Sequence, residues 1–377
     1  MKILALNPGS GTLQYKVLDI SGDAGPEDGT LLKDGKVDHV HGDATVEAAE
    51  MAVVECLPLG LDAIGHRVVH GGSRFDGPAR ITPEVLEVIE SLSDLAPLHN
   101  PIDLATIKAV SRRAPGVTGV AVFDNAFHRT LPEVAWRYAL PLDVGEGEVR
   151  RFGFHGIAHR NVAERLPEYL KEGMRRSRYV LCHIGGGASL CAVKDGKSVD
   201  TSMGMTPLEG LVMGTRSGDL DPGLVLYLLR HKGFTIESLE DLLYHRSGLF
   251  GLSGRSDDLR DLEPAAQAGD RRSELALAVH AHHIRKCIGA FAAVLGGMDA
   301  LALSGALAEN SASMRSRALE GLEFLGLRLD SERNIAARPD QPSRISAEDS
   351  PVPIWLVPAD EERQIAREVA ALLEGPG

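Results

Sequence analysis

Two arginines stand where a charged side chain needs an anionic partner. Arg67 lies in the apolar, strand-like run GHRVVHGG, which closes in glycines. A guanidinium buried there unpaired is strongly unfavourable. Arg216 lies in MGTRSGDLDP, too rich in glycine and polar residues for a helix interior and flanked by Asp219 and Asp221. Two arginines offered by separate loops suit phosphoryl transfer between anions, because the charge on the equatorial oxygens must be clamped. A structural ion pair is the competing account of Arg67.

Other polar groups fall at the ends of apolar runs. VFDNAFH supplies Asp124 and His128; a carboxylate there orients an arginine or a metal-bound water, or else caps a helix. GFHGIAH sets His155 and His159 four residues apart, the spacing of a zinc pair on one helix face. No third ligand is evident, so His155 reads better as a hydrogen-bond donor to a transferring phosphoryl group. The turn from Asn7 to Thr12 puts an amide, two hydroxyls and two glycines at a strand end. That suits approach to phosphate oxygens or a hydrated metal, though an ordinary hairpin uses the same residue types. Glu361, opening the last helix, either holds magnesium through water or complements the helix dipole.

The elements that must carry these groups are legible in the periodicity. Strands are expected over 2–6 and 13–20, joined by the glycine turn, and the pattern recurs at 179–184 and 188–193 around Gly185, Gly186 and Gly187, with a third strand toward Thr201. The echo predicts two duplicated α/β domains with their glycine turns facing a cleft. Helical spacing covers 155–171, and 272–295 with Leu275, Val279, Ile288, Phe291 and Val294 as its apolar positions. A strand over 300–303 leads into a helix expected over 309–325, and a final helix over 360–373 has Asp360 as its cap.

Composition excludes several classes of function. With 40 basic and 53 acidic side chains the net charge is −13, and no basic track offers itself to nucleic acid. The amino-terminal apolar run is too short for a signal peptide or a membrane span, so a cytoplasmic protein is expected. The four cysteines lie in apolar stretches without C-x-x-C spacing, as reduced thiols serving as small hydrophobes.

Nine blocks in order resemble the acetate kinase family, within the superfamily of acetate and sugar kinases, heat-shock chaperones and actin. They are the N-x-G-S turn at Asn7, GHRVVHGG, APLHNP, VFDNAFH, RRFGFHGIAH, DTSMGMTPLEGLVMGTRSGDLDP, SGLFGLSGRSDDLRDL, AENSASMR and VPADEERQIAR. The resemblance implies α/β architecture with two RNase H-like domains, an amino-terminal one over 1–127 plus 362–377 and a nucleotide-binding, dimer-forming one over 128–361. It further implies a homodimer, Mg²⁺ with Mn²⁺ as a substitute, and ATP and a small carboxylic acid as substrates. Position by position, Asn7 and Glu361 match the magnesium site, and Arg67 and Arg216 the acyl-phosphate arginines. Asp124 matches the catalytic acidic residue and His155 the transition-state donor. Val69, Leu98, Phe154 and Pro207 match the pocket for the acid's alkyl end. Thr12, Gln14, His183, Gly185, Gly186, Gly187, Asp258, Leu259, Arg260, Ala306, Leu307, Ala308, Glu309 and Asn310 fall in the nucleotide-binding blocks.

The departures cluster on the nucleotide side. Gln14 replaces the family's Lys, Gly186 the Asn of its G-N-G turn, and Ala306 and Ala308 two glycines of G-I-G-E-N. Each alanine would strain a turn that needs φ > 0. The resemblance implies direct in-line transfer between ATP and acetate or propionate without a phosphoenzyme. A pyrophosphate-type donor and a non-catalytic nucleotide-binding protein are the alternatives.

Overall fold

The computed structural model describes residues 1–9, 11–20, 29–97, 99–170 and 178–375. Strand β1 (Lys2–Pro8) pairs antiparallel with β2 (Thr12–Asp19), which pairs with β3 (Thr30–Asp38). On its other side β1 runs parallel to β4 (Ala63–Val68), and β4 parallel to β6 (Thr118–Phe123), with the short β5 (Ala79–Arg80) at the edge. The sheet order is β3-β2-β1-β4-β6-β5.

The second sheet repeats this plan. Strands β7 (Arg178–Ile184), β8 (Ala188–Lys194) and β9 (Lys197–Thr201) form an antiparallel meander. β7 runs parallel to β10 (Ala300–Ser304), which runs parallel to β12 (Ile354–Leu356), with β11 (Ser343–Arg344) at the edge. Among the described residues the order is β11-β12-β10-β7-β8-β9. Both meanders shift register in their outer ladder, between Val17 and Leu18 and between Ala192 and Val193. The chain divides into one unit of Met1–Arg129, Phe154–Arg165 and the chain from Asp360, and a second of Thr130–Gly153 and Leu166–Ala359. Phe154–Arg165 and the chain from Asp360 thus group with the first unit, whereas the resemblance implies divisions at 127/128 and 361/362.

Strand alternation builds cores on both faces of the first sheet. Leu4 and Leu6 of β1, with Leu13, Tyr15 and Val17 of β2, pack on Ala48, Ala49, Ala52 and Val53 of the helix Asp43–Cys56. Ile3 and Ala5 on the opposite face pack with Ile365, Ala366, Val369 and Ala370 of the last helix, Glu361–Glu374. A strand covered on both faces reads as the continuous apolar run ILAL. The last helix comes this close because residue 65 has no side chain: a Cβ there would lie 2.6 Å from Ile365 Cγ2 and 2.9 Å from Val369 Cγ2.

Two expected elements differ. The helix placed over 309–325 is two helices, Ala306–Asn310 and Ala312–Leu319, followed by a 3₁₀ turn at Glu323–Leu325. Ser311 breaks it, leaving helical dihedrals to accept the amide of Met314 at 2.9 Å as an N-cap. The helix Arg271–Leu295 forms, but Leu275 and Val294 on it are 55% and 53% exposed. Its buried stripe is instead Ala276, Leu277, His280, Ala281, Ile284, Ile288 and Phe291. His280 belongs there because its Nδ1 meets the carbonyl of Val212 at 2.8 Å and burial pushes its pKa down to about 4, leaving it neutral. All four cysteines are free, and burial pushes Cys56 up to about 11 and Cys191 to about 12. No described helix is long and apolar enough to cross a membrane.

Gly65→Ala should destabilise the protein by about 1–3 kcal/mol through overpacking against Ile365 and Val369. A lowered urea midpoint at unchanged m value would register this, and an unchanged midpoint would show that the last helix shifts freely.

Candidate functional site

In the first unit, strand ends and the start of the last helix deliver one polar cluster. Arg67, near the end of β4, directs Nη2 and Nε to a single oxygen of Asp124, Oδ2, at 2.6 and 3.2 Å. Its Nη1 donates to the carbonyl of Pro8 at 2.8 Å and approaches Asn7 Oδ1 at 3.4 Å. Asp124 is fully buried, and its other oxygen, Oδ1, meets no hydrogen-bond donor among the described residues. Burial alone would lower the Arg67 pKa, but the carboxylates of Asp124 and Glu361 outweigh it and hold the guanidinium charged.

Asn7, at the end of β1, donates from Nδ2 to Glu361 at 2.9 Å and to Glu362 at 2.7 Å. Desolvation pushes both glutamates above the usual carboxylate range, with Arg67 opposing it at Glu361 and Lys16 opposing it at Glu362. Asp360 caps the helix by accepting the Arg363 amide and pairs with Lys16 at 2.7 Å. Thr12 closes the first turn, its carbonyl accepting the Gly9 amide at 2.7 Å. Gln14 lies opposite Asn7 in the ladder and is exposed. The only lysine on its face of β2, Lys16, is committed to Asp360 and Glu362.

Asp124 also anchors the histidine segment. Its carbonyl accepts the Gly156 amide at 2.7 Å, and a Cβ at Gly156 would stand 2.2 Å from that oxygen. His155 precedes this contact in a left-handed conformation, φ 57°, at the start of the helix Gly156–Tyr169. A non-glycine residue with positive φ is uncommon and marks a position held by its surroundings. His159 is buried against the ring of His128, 5.7 Å between centroids. No metal-binding group of three His, Cys, Asp or Glu occurs among the described residues, so nothing completes a zinc site on this pair. Val69 and Phe154 are both buried, and the Phe154 ring meets His70 edge-on at 5.3 Å. Leu98 lies outside the described residues.

In the second unit, the arginine loop is shaped by backbone hydrogen bonds. Leu249, Phe250 and Ser247 donate their amides to the carbonyls of Met213, Gly214 and Thr215 at 2.9 Å. Gly248, at φ 61°, permits this: a Cβ there would fall 2.2 Å from the Met213 carbonyl. Arg216 Nη1 donates to the Pro207 carbonyl at 3.1 Å, bringing two residues singled out from the sequence together. The Gly214 amide donates to Gly186 at 3.0 Å, which ties this loop to the Gly185–Gly187 turn. His183, the penultimate residue of β7, faces Ser304 Oγ at 3.3 Å through Nδ1.

The structure answers the strain expected at the two alanines. Gly305 alone in that turn has positive φ, 87°, and a Cβ there would stand 2.8 Å from the Ile184 nitrogen. Ala306 and Ala308 sit in the helix Ala306–Asn310 with ordinary dihedrals, and the Ala308 methyl is fully buried. Glu309 Oε1 accepts the amides of Gly305 and Ala359 at 2.8 and 3.1 Å, and Asn310 Nδ2 donates to the Ala306 carbonyl. Leu307 is half-buried. Gly186 has no positive φ, and a Cβ there would meet nothing within 4 Å. Asp258 caps the helix Leu259–Gln267 and pairs with the exposed Arg260, whose hydrogen bonds hold the carboxyl below its usual range.

Sequence reasoning missed several supporting residues. Glu209, two residues after Pro207, accepts from Tyr138 at 2.5 Å and pairs with Arg151, which also donates to the carbonyls of Thr201, Ser202 and Met203. Gly204 sits so close to Glu209 and Tyr138 that no side chain fits. Asp257 lies beside Gly214, its Oδ2 3.2 Å from where a Cβ would stand. Charged residues in polar loops carry no periodic signal, so only the adjoining TPLEG and SDDLRDL blocks pointed toward them.

The chain is similar to known proteins both in sequence and in fold. The model of the Acetokinase family matches residues 44–367. The chain is 43% identical to the acetate kinase of Caldanaerobacter subterraneus subsp. tengcongensis, covering all of both chains. It is 41% identical to that of Phocaeicola vulgatus over 99% of this chain and all of the relative. Among solved structures it is similar to the Porphyromonas gingivalis acetate kinase, with TM-score 0.86, 37% identity and coverage of 99% and 100%. It is also similar to a propionate kinase from Francisella tularensis, with TM-score 0.87, 32% identity and coverage of 97% and 98%. On both the sequence match and the shared fold, this chain belongs to the acetokinase family.

Proposed function

We propose that this protein is an acetate kinase, transferring a phosphoryl group reversibly between ATP and acetate or propionate. The observation that carries the reading is the buried Arg67–Asp124 pair beside the Asn7–Glu361 contact. In this reading Arg67 holds the acid's carboxylate and Arg216 the charge of the transferring group. Asp124 fixes Arg67 through one oxygen and keeps the other open. His155 donates to the phosphoryl oxygens, its backbone held by the Asp124–Gly156 hydrogen bond. Following the resemblance, we assign Val69, Leu98, Phe154 and Pro207 to the acid's alkyl end. Among the described residues no side chain is set up as a covalent phosphate acceptor, which supports direct in-line transfer.

The residues fit a magnesium ion. Asn7, Glu361 and Glu362 offer oxygens; Glu362 is buried and Glu361 half-buried, and desolvation raises both carboxyls, so a nearby cation would favour their ionisation. With no larger ligand group among the described residues, most of the coordination shell is left to water and phosphate, as this ion prefers. When bound, the ion neutralises charge on the phosphate oxygens.

Unstrained alanines and open space at Gly186 support ATP rather than pyrophosphate as donor. Thr12, Gln14, His183, the Gly185–Gly187 turn, 258–260 and 306–310 are the segments we assign to the nucleotide. The same reading takes the protein as cytoplasmic and as a homodimer joined through the second unit. There the helix Pro222–His231 buries none of its residues and exposes Leu224, Leu226 and Tyr227, an apolar surface suited to a second copy.

Three outcomes are expected. Hydroxylamine trapping with Mg²⁺ and acetate should yield hydroxamate with ATP and not with pyrophosphate, and Arg67→Ala or Arg216→Ala should lower the rate by about 100-fold or more. Near-parental rates in both variants would overturn the assignment. Magnesium should raise the parent's melting temperature, with Glu361→Gln removing most of that rise. Gly186→Asn should be accommodated without loss of stability and lower KM for ATP; a raised KM would show that the open space is needed by the nucleotide.

A further inference from the structure

Asp103 is a buried carboxyl that the catalytic reading leaves unused. It lies in the first turn of the helix Asn100–Arg113, 3% exposed. Its Oδ2 accepts the amide of Val69 at 3.0 Å, two residues beyond Arg67 on the same segment. The charged groups that act on it are Arg67 from β4 and Asp124 from the end of β6. Its helix neighbour Asn100 binds the amide and carbonyl of His70 at 3.1 and 3.0 Å, and His70 Nδ1 accepts the Gly72 amide. His99 stands at the N-cap of the same helix. The segment from Val69 to Gly72 is thus held by side chains of one helix together with Asn125, which accepts the Gly71 amide at 2.9 Å. Neutral amides do this work at positions 100 and 125, whereas position 103 carries a group that can become charged.

We propose that Asp103 is a positioning residue that tunes affinity for the carboxylic acid: neutral, it only holds Val69; ionised, it competes for Arg67 and repels the incoming carboxylate. The proposal rests on the acyl-kinase reading and deepens it. Burial pushes Asp103 up to about 7, against the Val69 amide and Arg67, which pull it down. Below that pH the carboxyl is neutral and Arg67 serves the substrate. Above it the added negative charge weakens substrate binding, so KM for acetate rises with pH. Acetate itself is fully ionised from about pH 6 upward, so its own titration contributes nothing there.

The test is KM and kcat for acetate on the full-length protein from about pH 6 to 9 at saturating ATP and Mg²⁺, for the parent and for Asp103→Asn, which retains an acceptor for the Val69 amide. The parent's KM should rise about 3- to 10-fold across the range, and the variant's should stay flat and match the low-pH parent, the change falling on KM more than on kcat. Carboxyl infrared absorption of the parent, minus the variant, should lose a protonated-acid band near pH 7. If Asp103→Asn does not fold, the parent's KM profile decides alone: a flat profile overturns the proposal. Hydroxamate formation with the same KM profile in parent and variant overturns it while leaving the kinase reading intact. No hydroxamate from the parent at any pH overturns both.

Discussion

A guanidinium buried at the end of a parallel strand is the constraint around which the first unit is arranged. Arg67 cannot sit among β1, β4 and β6 without compensation, because an unpaired buried charge is prohibitive. Its compensation comes from the loop after β6, the end of β1 and, through Asn7, the start of the last helix. Each of these sits at the carboxyl end of a parallel strand or meets one there. The last helix reaches them only because Gly65 lets Ile365 and Val369 pack on β4. A packing choice at one glycine is thereby linked to the placing of Glu361.

Single-oxygen pairing gives this cluster its chemical character. Asp124 spends Oδ2 on Arg67 and its backbone carbonyl on Gly156, so one carboxylate fixes both an arginine and the histidine segment. Among the described residues the remaining oxygen is buried without a donor. A buried unsatisfied acceptor costs about 1–3 kcal/mol or more, a penalty that incoming donors or a cation relieve. That is how a site holds binding energy in reserve before its ligands arrive.

The second unit reaches order by a different route. Its arginine loop is held by backbone amides donated from the helix beyond it, with Gly248 and Gly214 allowing the close approach. Such a loop tolerates variation wherever side chains point away from these contacts. Outside this loop, Gly186 in the turn after β7 has open space around it, and Ala306 and Ala308 sit in the helix after β10, where Ala308 fills core space. The replacements that looked disruptive in isolation therefore leave these turns unstrained, because the position that needs positive φ, Gly305, remains glycine.

The residues themselves determined a good deal: the paired hairpins with their glycine turns, the last helix and its Asp360 cap, and the need for an anion beside Arg67. Those follow from local rules, since strand alternation, capping and the cost of a buried charge act over a few residues or on one group at a time. The sequence did not reveal that Ser311 would divide a helix, since it is as compatible with a helix interior as with a cap until the packing of its neighbours decides. Nor did it reveal the true buried stripe of Arg271–Leu295, where alanines and a neutral His280 displace Leu275 and Val294. Asp103 and Glu209 lay hidden for the same reason. Their partners, Val69 and Arg151, are 34 and 58 residues away in the chain, and only the tertiary fold brings such groups within hydrogen-bond distance.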